Sequence, residues 1–166
     1  MRLIEDPAEI PSVTSGLPTD LVKLNLSWEA VERTCFSLCT DLLYFDVIQA
    51  SNIKNLPLIL RHIEEEKCFV FNHRALFAGG EAAKVAIALE ISADCEPDTI
   101  ARALSNDWPN HVRLLSVFYL VGDFGIVSPS GEWFIFARTD DHAIFTSKIE
   151  TKYSIFNKHW WSCVLE

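Results

Sequence analysis

The side chains with the clearest potential for chemistry are a cysteine close to a histidine, and a second pair of cysteines. Cys68 and His73 could form a nucleophile and its base, but five steps along a strand place their side chains on opposite faces. Cys35 and Cys39 share one face of a predicted helix at i and i+4, as two metal ligands would. Cys35 also belongs to an apolar stripe, however, and no second pair has zinc-site spacing. We therefore predict no catalytic residue, no metal site and no cofactor.

The remaining candidate motifs are incomplete. The sequence has no G-x-S-x-G nucleophile elbow, and Gly79 and Gly80 lack the flanking residues of a phosphate-binding loop. Basic residues are few and do not alternate with aromatic residues along a strand, which argues against RNA binding. The five histidines form no H-x-H or H-E-x-x-H pair: His62, His73, His111, His142 and His159.

Charge is the most distinctive property of the sequence. The 166 residues carry a net charge of −9, which disfavours non-specific binding to nucleic acid or to an anionic membrane. Acidic residues are concentrated in three places, and we take them as candidates for binding a protein partner with a basic surface: Glu64, Glu65, Glu66, Glu90, Asp94, Glu96, Asp98, Asp140 and Asp141. Such a surface accelerates association with a basic partner. The alternative is that these acids only keep the protein soluble.

The fold is predicted from a C-terminal stretch of three apolar strands joined by two turns. Residues 112–121 form an almost unbroken apolar run, and residues 128–131 and 139–141 have the composition of turns. Between the turns, Trp133 and Phe134 begin a strand that is apolar on both faces, which is typical of the middle of a core. Connections this short join antiparallel strands, so we predict a three-strand antiparallel meander.

Helices are predicted on the N-terminal side of the meander. Ser27 can cap a helix in which apolar residues recur at steps of three and four between residues 28 and 45. Pro57 and Pro97 stand where proline suits the first turn of a further helix. The Pro57 helix would run into three glutamates, which oppose the dipole at a helix C-terminus. Either that helix stops earlier, or the glutamates serve another purpose.

Three further stretches complete the predicted architecture. Residues 68–71 are short, apolar and aromatic, which favours a strand. Residues 82–91 alternate like a strand but contain good helix formers, so we favour a strand and keep a buried helix as the alternative. Residues 1–20 contain three prolines and are predicted to be an irregular N-terminal arm. We therefore predict an α+β fold in which residues 21–166 form one domain, an antiparallel sheet with a C-terminal three-strand meander packed against about three helices.

The expected location is the cytoplasm. The five cysteines are an odd number without a C-x-x-C pair, and the first residues lack the apolar core of a signal peptide. No apolar run reaches the roughly 20 residues of a membrane helix, so we expect no membrane span. Near the C-terminus, Trp160 and Trp161 either tuck onto the core, which we favour, or face a partner.

Residues 131–145, GEWFIFARTDDHAIF, combine an aromatic strand, an acidic turn and a second apolar strand. The residues that carry this pattern are Trp133, Ile135, Phe136, Asp140, Ala143 and Ile144. In a small acidic α+β chain, the pattern resembles immunity proteins of bacterial polymorphic-toxin and contact-dependent growth inhibition systems. The resemblance implies a non-catalytic protein that binds and blocks a cognate toxin domain, often a nuclease. The alternatives are an enzyme or small-ligand-binding protein with a site between sheet and helices, and a general interaction subunit.

Overall fold

The protein is built on an antiparallel β-sheet. The computed structural model describes residues 1–23, 39–44, 54–72, 76, 87–104, 124–137, 142–152 and 154. The strands within these residues are β1 Arg2–Ile4, β2 Cys39–Tyr44, β3 Lys67–Asn72, β4 Ala88–Ser92, β5 Phe124–Val127, β6 Trp133–Ala137 and β7 His142–Ser147. They form a seven-stranded sheet in the order β1-β4-β3-β5-β6-β7-β2, and every neighbouring pair is antiparallel.

Strands β5, β6 and β7 form the meander predicted from the short turns. The register pairs Trp133 of β6 with Ser147 of β7. Gly131, in the turn between β5 and β6, has a φ of 69°, which glycine adopts without the steric cost of a Cβ. The antiparallel meander is confirmed, and its first strand is Phe124–Val127, just after the apolar run from which the strand was predicted. The apolar run at residues 112–121 and the turn at residues 139–141 lie outside the described residues.

Strand β6 is buried on both faces, as its apolar sequence predicted. Trp133, Phe134, Ile135 and Phe136 are each 1% exposed. Successive side chains of a strand alternate between its two faces, so both faces of the sheet are covered at this position. Strand β6 also has a paired strand on each side, which makes it part of the centre of the fold.

Two of the described helices have, in their first turns, the prolines identified in the sequence. The helical elements are a 3-10 turn Pro7–Glu9, α1 Ile10–Thr14, α2 Thr19–Lys23, α3 Leu56–His62 and α4 Pro97–Leu104. Helix α3 has Pro57 in its first turn and buries Leu56, Ile59 and Leu60. It ends at His62, so the three glutamates follow the helix and do not continue it.

The first 20 residues correct the prediction of an irregular arm. They contain β1, the 3-10 turn and α1, and β1 pairs with β4 at the edge of the sheet. Pro7 and Pro11 lie in the first turns of their helical segments, where the missing N–H forfeits no hydrogen bond. These prolines therefore start regular structure. Ile4 and Val13 are fully buried within the hydrophobic core.

The predicted helix over residues 28–45 is wrong at its C-terminal end. Residues 39–44 form strand β2, which pairs with β7 over its whole length of six residues. Helical spacing of apolar residues reports a local preference, whereas a partner strand much later in the chain supplies backbone hydrogen bonds that override it. Residues 28–38, and with them Cys35, lie outside the described residues.

The stretch that fitted both a strand and a helix contains a strand. Within it, Leu89 and Ile91 of β4 are fully buried and Glu90 between them is partly exposed, which is the alternation of a half-covered strand. Residues 82–86 lie outside the described residues. Strand β3 confirms the strand predicted at residues 68–71, and the fold is α+β as predicted. Among the described residues, no helix has the length and apolar character needed to cross a membrane.

Replacing Trp133 by Ala is expected to lower the free energy of unfolding by about 3–5 kcal/mol, the range for removing a large aromatic side chain from a core. Leu58→Ala is the control, because Leu58 is 40% exposed on α3 and its truncation should have a much smaller effect. Urea denaturation followed by circular dichroism measures both changes. An unchanged midpoint for Trp133→Ala would show that this side chain lies on the surface.

Candidate functional site

Two acidic stretches that are separate in the sequence meet at one end of the sheet. Strands β3 and β4 pair with Lys67 opposite Ser92, so the start of β3 lies beside the end of β4. The ladder continues one step further, because the Ala93 N–H donates to the Glu66 carbonyl at 2.8 Å. The glutamates that precede β3 are therefore neighbours of the acids that follow β4.

The surface formed by the exposed members of these two stretches is named the acidic end here, and it consists of Glu64, Glu66, Asp94, Glu96 and Asp98. Arg61, in the last turn of α3, holds the turn that carries the second stretch. Its Nε donates to the Ala93 carbonyl at 2.6 Å, and its Nη2 donates to the Cys95 carbonyl at 3.3 Å. The backbone under the acidic end is thus fixed relative to α3.

The chain leaves α3 through a residue in the left-handed conformation. Glu64 has a φ of 58°, a conformation that commonly ends helices. The next N–H, that of Glu65, donates back to the Leu60 carbonyl at 2.9 Å and so closes the helix end. The Glu64 side chain is exposed after this turn, whereas that of Glu65 is turned towards the protein.

Glu65 differs from the residues on either side because its side chain is only 9% exposed. Its Oε2 accepts a hydrogen bond from Ser128 Oγ at 2.6 Å, and its Oε1 accepts from Ser130 Oγ and Lys152 Nζ, both at 2.8 Å. Lys152 Nζ also donates to Glu132 Oε2. These five residues are named the Glu65 network.

Burial and hydrogen bonding act in opposite directions on the charges of the Glu65 network. Burial alone would raise the pKa of the Glu65 carboxyl, but hydrogen bonds from Lys152, Ser128 and Ser130 outweigh it and the pKa is lowered. Burial alone would lower the pKa of the Lys152 ammonium group, whereas its bonds to Glu132 and Glu65 leave that pKa raised. Both groups are therefore charged at neutral pH.

Glu90 was grouped with the acidic candidates by sequence, but the structure places it within the sheet. It accepts hydrogen bonds from Arg2 Nη2 at 3.1 Å and from Lys67 Nζ at 3.2 Å, and Arg2 also donates to Glu9 Oε2 at 2.7 Å. Burial alone would raise the pKa of Glu90, but these two hydrogen-bond donors lower it. Glu90 therefore joins β1, β3 and β4 and does not belong to the acidic end.

The turn that supplies Ser128 and Ser130 also contacts the N-terminal segment. A Cβ on Gly16 would lie 1.8 Å from the Ser128 carbonyl oxygen, and a Cβ on Gly131 would lie 3.1 Å from the Gly16 carbonyl oxygen. The two backbones approach this closely because neither glycine has a Cβ. Residues 128–131 are therefore contacted by Gly16 as well as by Glu65.

A shallow cavity of about 230 Å³ opens beside Glu65. Its lining is Glu64, Glu65, Glu66, Lys67 and Pro129. Three carboxylates and one ammonium group give it a negative character, which suits a cationic group better than an apolar molecule. The cavity shares Glu65 with the Glu65 network and two glutamates with the acidic end.

Cys68 and Cys95 are buried free thiols. Burial raises the pKa of the Cys68 thiol, which keeps it protonated and weakly nucleophilic at neutral pH. In the part of the chain that the structure describes, no three His, Cys, Asp or Glu side chains are grouped so that they could hold a metal ion. Four predicted candidates lie outside the described residues: Asp140, Asp141, Trp160 and Trp161.

The sequence singled out the five residues of the acidic end as members of two separate clusters, and it gave no indication that the clusters meet or that the Glu65 network exists. Turn composition fully explains Ser128 and Ser130, and nothing near Lys152 in the sequence indicates a partner. The one available signal was the group of glutamates after α3, whose unfavourable position suggested a further purpose. Only Glu65 among the three is engaged in the network.

The chain matches no protein-family model, no curated protein and no solved structure.

Folding stability should fall as the pH drops through the acid range. The pKa values of Glu65 and Glu90 are lowered in the folded protein. The stabilisation that these two carboxylates provide is complete above the unfolded pKa of about 4.3 and is lost as the pH falls through the lower pKa values of the folded protein.

Glu65→Gln should lower the free energy of unfolding by about 1–3 kcal/mol at pH 7 and weaken this pH dependence. Urea unfolding of the variant and of the parent protein at several pH values measures both effects. Glu64→Gln, at an exposed position, is the control, and an equal loss in both variants would contradict the assignment.

Gly16→Ala should destabilise the protein by about 1–3 kcal/mol, because the added Cβ meets the Ser128 carbonyl oxygen and forces two backbones apart. Ser12→Ala, at an exposed position of the same segment, should have little effect. Thermal unfolding followed by circular dichroism compares the two variants. Equal melting temperatures for Gly16→Ala and the parent protein would mean that these segments are not in contact in solution.

Proposed function

We propose that the protein is a non-catalytic binding protein that docks its acidic end on a basic surface of a protein partner. The observation that carries the proposal is that the exposed acids of two separate stretches lie at the same end of the sheet. The net charge of −9 adds a field of the same sign at longer range. Both features favour fast association with a basic partner.

The fixed backbone beneath the acidic end supports this role. Arg61 binds the turn after β4, and Glu65 binds the turn between β5 and β6. The bond between Glu66 and Ala93 joins the two acidic stretches directly. A surface that is already ordered loses little conformational entropy on binding, so more of the electrostatic attraction is available as affinity.

The partner that we propose is a toxin domain, which would make this protein an immunity protein. Support comes from the resemblance of residues 131–145 to immunity proteins of bacterial toxin systems. A nuclease binds anionic phosphates through a basic cleft, and an acidic surface of fixed shape can occupy such a cleft. Because a producing cell needs protection where the toxin is made, the proposed location is the cytoplasm.

A second candidate function is the binding of a small cationic ligand. The acidic cavity of about 230 Å³ beside Glu65 is the observation that favours it. Ligand pockets usually have volumes of roughly 300–1,000 Å³ and a largely apolar lining, so this cavity is small and unusually polar for such a role. A protein partner therefore remains the first proposal.

Charge reversal at the acidic end should slow association with the partner. The partner is captured from the native host with the tagged full chain, identified and purified. Glu66→Lys and Glu96→Lys should then each lower the association rate by about 3–10-fold at low salt, because charges at the rim of an interface act on encounter. The difference should shrink as salt screens the charges. Association rates measured against ionic strength by surface plasmon resonance provide the test.

Glu5→Lys is the matched control, because it changes the net charge by the same amount. Glu5 follows β1, whose last residue pairs with the first residue of β4, so it lies at the opposite end of the sheet. Glu65 is left unchanged, since its reversal would break the Glu65 network. If Glu5→Lys slows association as much as Glu66→Lys and Glu96→Lys do, the effect comes from the net charge and not from the acidic end. If no variant slows association, the acidic residues do not contact the partner and serve only to keep the protein soluble.

A further inference from the structure

The Glu65 network connects three loops that are distant in the sequence. Glu65 precedes β3, Ser128, Ser130 and Glu132 lie between β5 and β6, and Lys152 lies in a helical turn after β7. We infer that Lys152 is a conformational latch: its ammonium group, held between Glu65 and Glu132, keeps these three loops together as one ordered unit. This inference concerns the free protein and does not depend on the proposed function.

The burial of the network distinguishes it from an ordinary surface ion pair. The side chains of Glu65 and Lys152 are 9% and 20% exposed, whereas those of the surface pair Asp20 and Lys23 are 79% and 71% exposed. Exposed pairs contribute little because water and salt screen them. In a partly buried pair, removal of one charge leaves the other poorly solvated, so both partners depend on each other.

Hydrogen bonds spread the effect of the latch into the β5–β6 turn. Ser128 Oγ donates to Glu65 and accepts from the Ser130 N–H at 3.1 Å. Ser130 Oγ donates to Glu65 and accepts from the Glu132 N–H at 3.3 Å. Each hydroxyl is thus oriented by Glu65 and in turn holds one backbone N–H of the turn.

Release of Lys152 would act on both carboxylates at the same time. Glu65 and Glu132 would lose the cation that they share, and Glu65 would regain solvation only by moving outward. That movement would free the two serine hydroxyls from the orientation that supports the turn. The strand ladders of β3, β4, β5 and β6 do not pass through the network, so the sheet can remain folded.

Amide hydrogen exchange of the full chain, followed by mass spectrometry at neutral pH, tests the latch. Lys152→Met should accelerate exchange at least about tenfold in three places, residues 64–66, 128–132 and 148–152, since local opening then needs less free energy. Strands β3 and β4, which exchange through global unfolding, should accelerate by no more than the loss of stability that urea unfolding of the same variant shows. Lys23→Met, the same change at an exposed ion pair, should alter none of the three loops. Lys152→Arg, which keeps the charge, should restore most of the protection.

Three results would overturn the inference. Acceleration confined to residues 148–152 would show that Lys152 holds only its own segment. Acceleration in β3 and β4 with none in the loops would show a loss of global stability that does not involve local opening of the loops. If the loops of Lys152→Met were as protected as those of Lys23→Met, the ion pairs of Lys152 would not couple the three loops. Glu65→Gln removes the other charge of the ion pair between Lys152 and Glu65, so it should reproduce the pattern of Lys152→Met.

Discussion

A carboxylate that is largely removed from water must be satisfied by donors within the protein, and at Glu65 this requirement shapes one end of the fold. The donors come from the turn of the central meander and from a lysine beyond the last strand. An unsatisfied charge in this position would carry a large desolvation penalty. The loop after α3 can therefore take its observed path only when the meander and the segment after β7 are also in place.

The same type of side chain has different roles at neighbouring positions of this chain. Glu64 and Glu66 are exposed, whereas Glu65 between them is engaged in hydrogen bonds. Glu90 is held by Arg2 and Lys67 at the edge of the sheet. The local excess of acid is therefore a poor measure of the charge that a partner meets. Exposure has to be known before acids can be assigned to an interface.

Local information was sufficient for the centre of the sheet and insufficient for its edges. Turn composition and the run of apolar residues around Trp133 predicted the meander, and two prolines predicted helix starts, because each signal lies within a few residues. Strand β2 was predicted as helix, since its pairing with β7 is invisible to local periodicity. The donors to Glu65 lie 63 to 87 residues away in the sequence, so no spacing rule could have indicated the network.

The order of the strands has a consequence for how the chain is made. Among the described strands, β1 and β2 come first in the sequence but stand at the two ends of the strand order, while the later strands β5 and β6 lie between them. On a ribosome, β1 emerges long before β4, and β2 long before β7, so neither early strand has its partner available. A nascent chain would thus expose β1 until β4 has emerged, and β2 until β7 has emerged. A topology rich in such long-range pairs folds slowly, and chaperones have time to bind it.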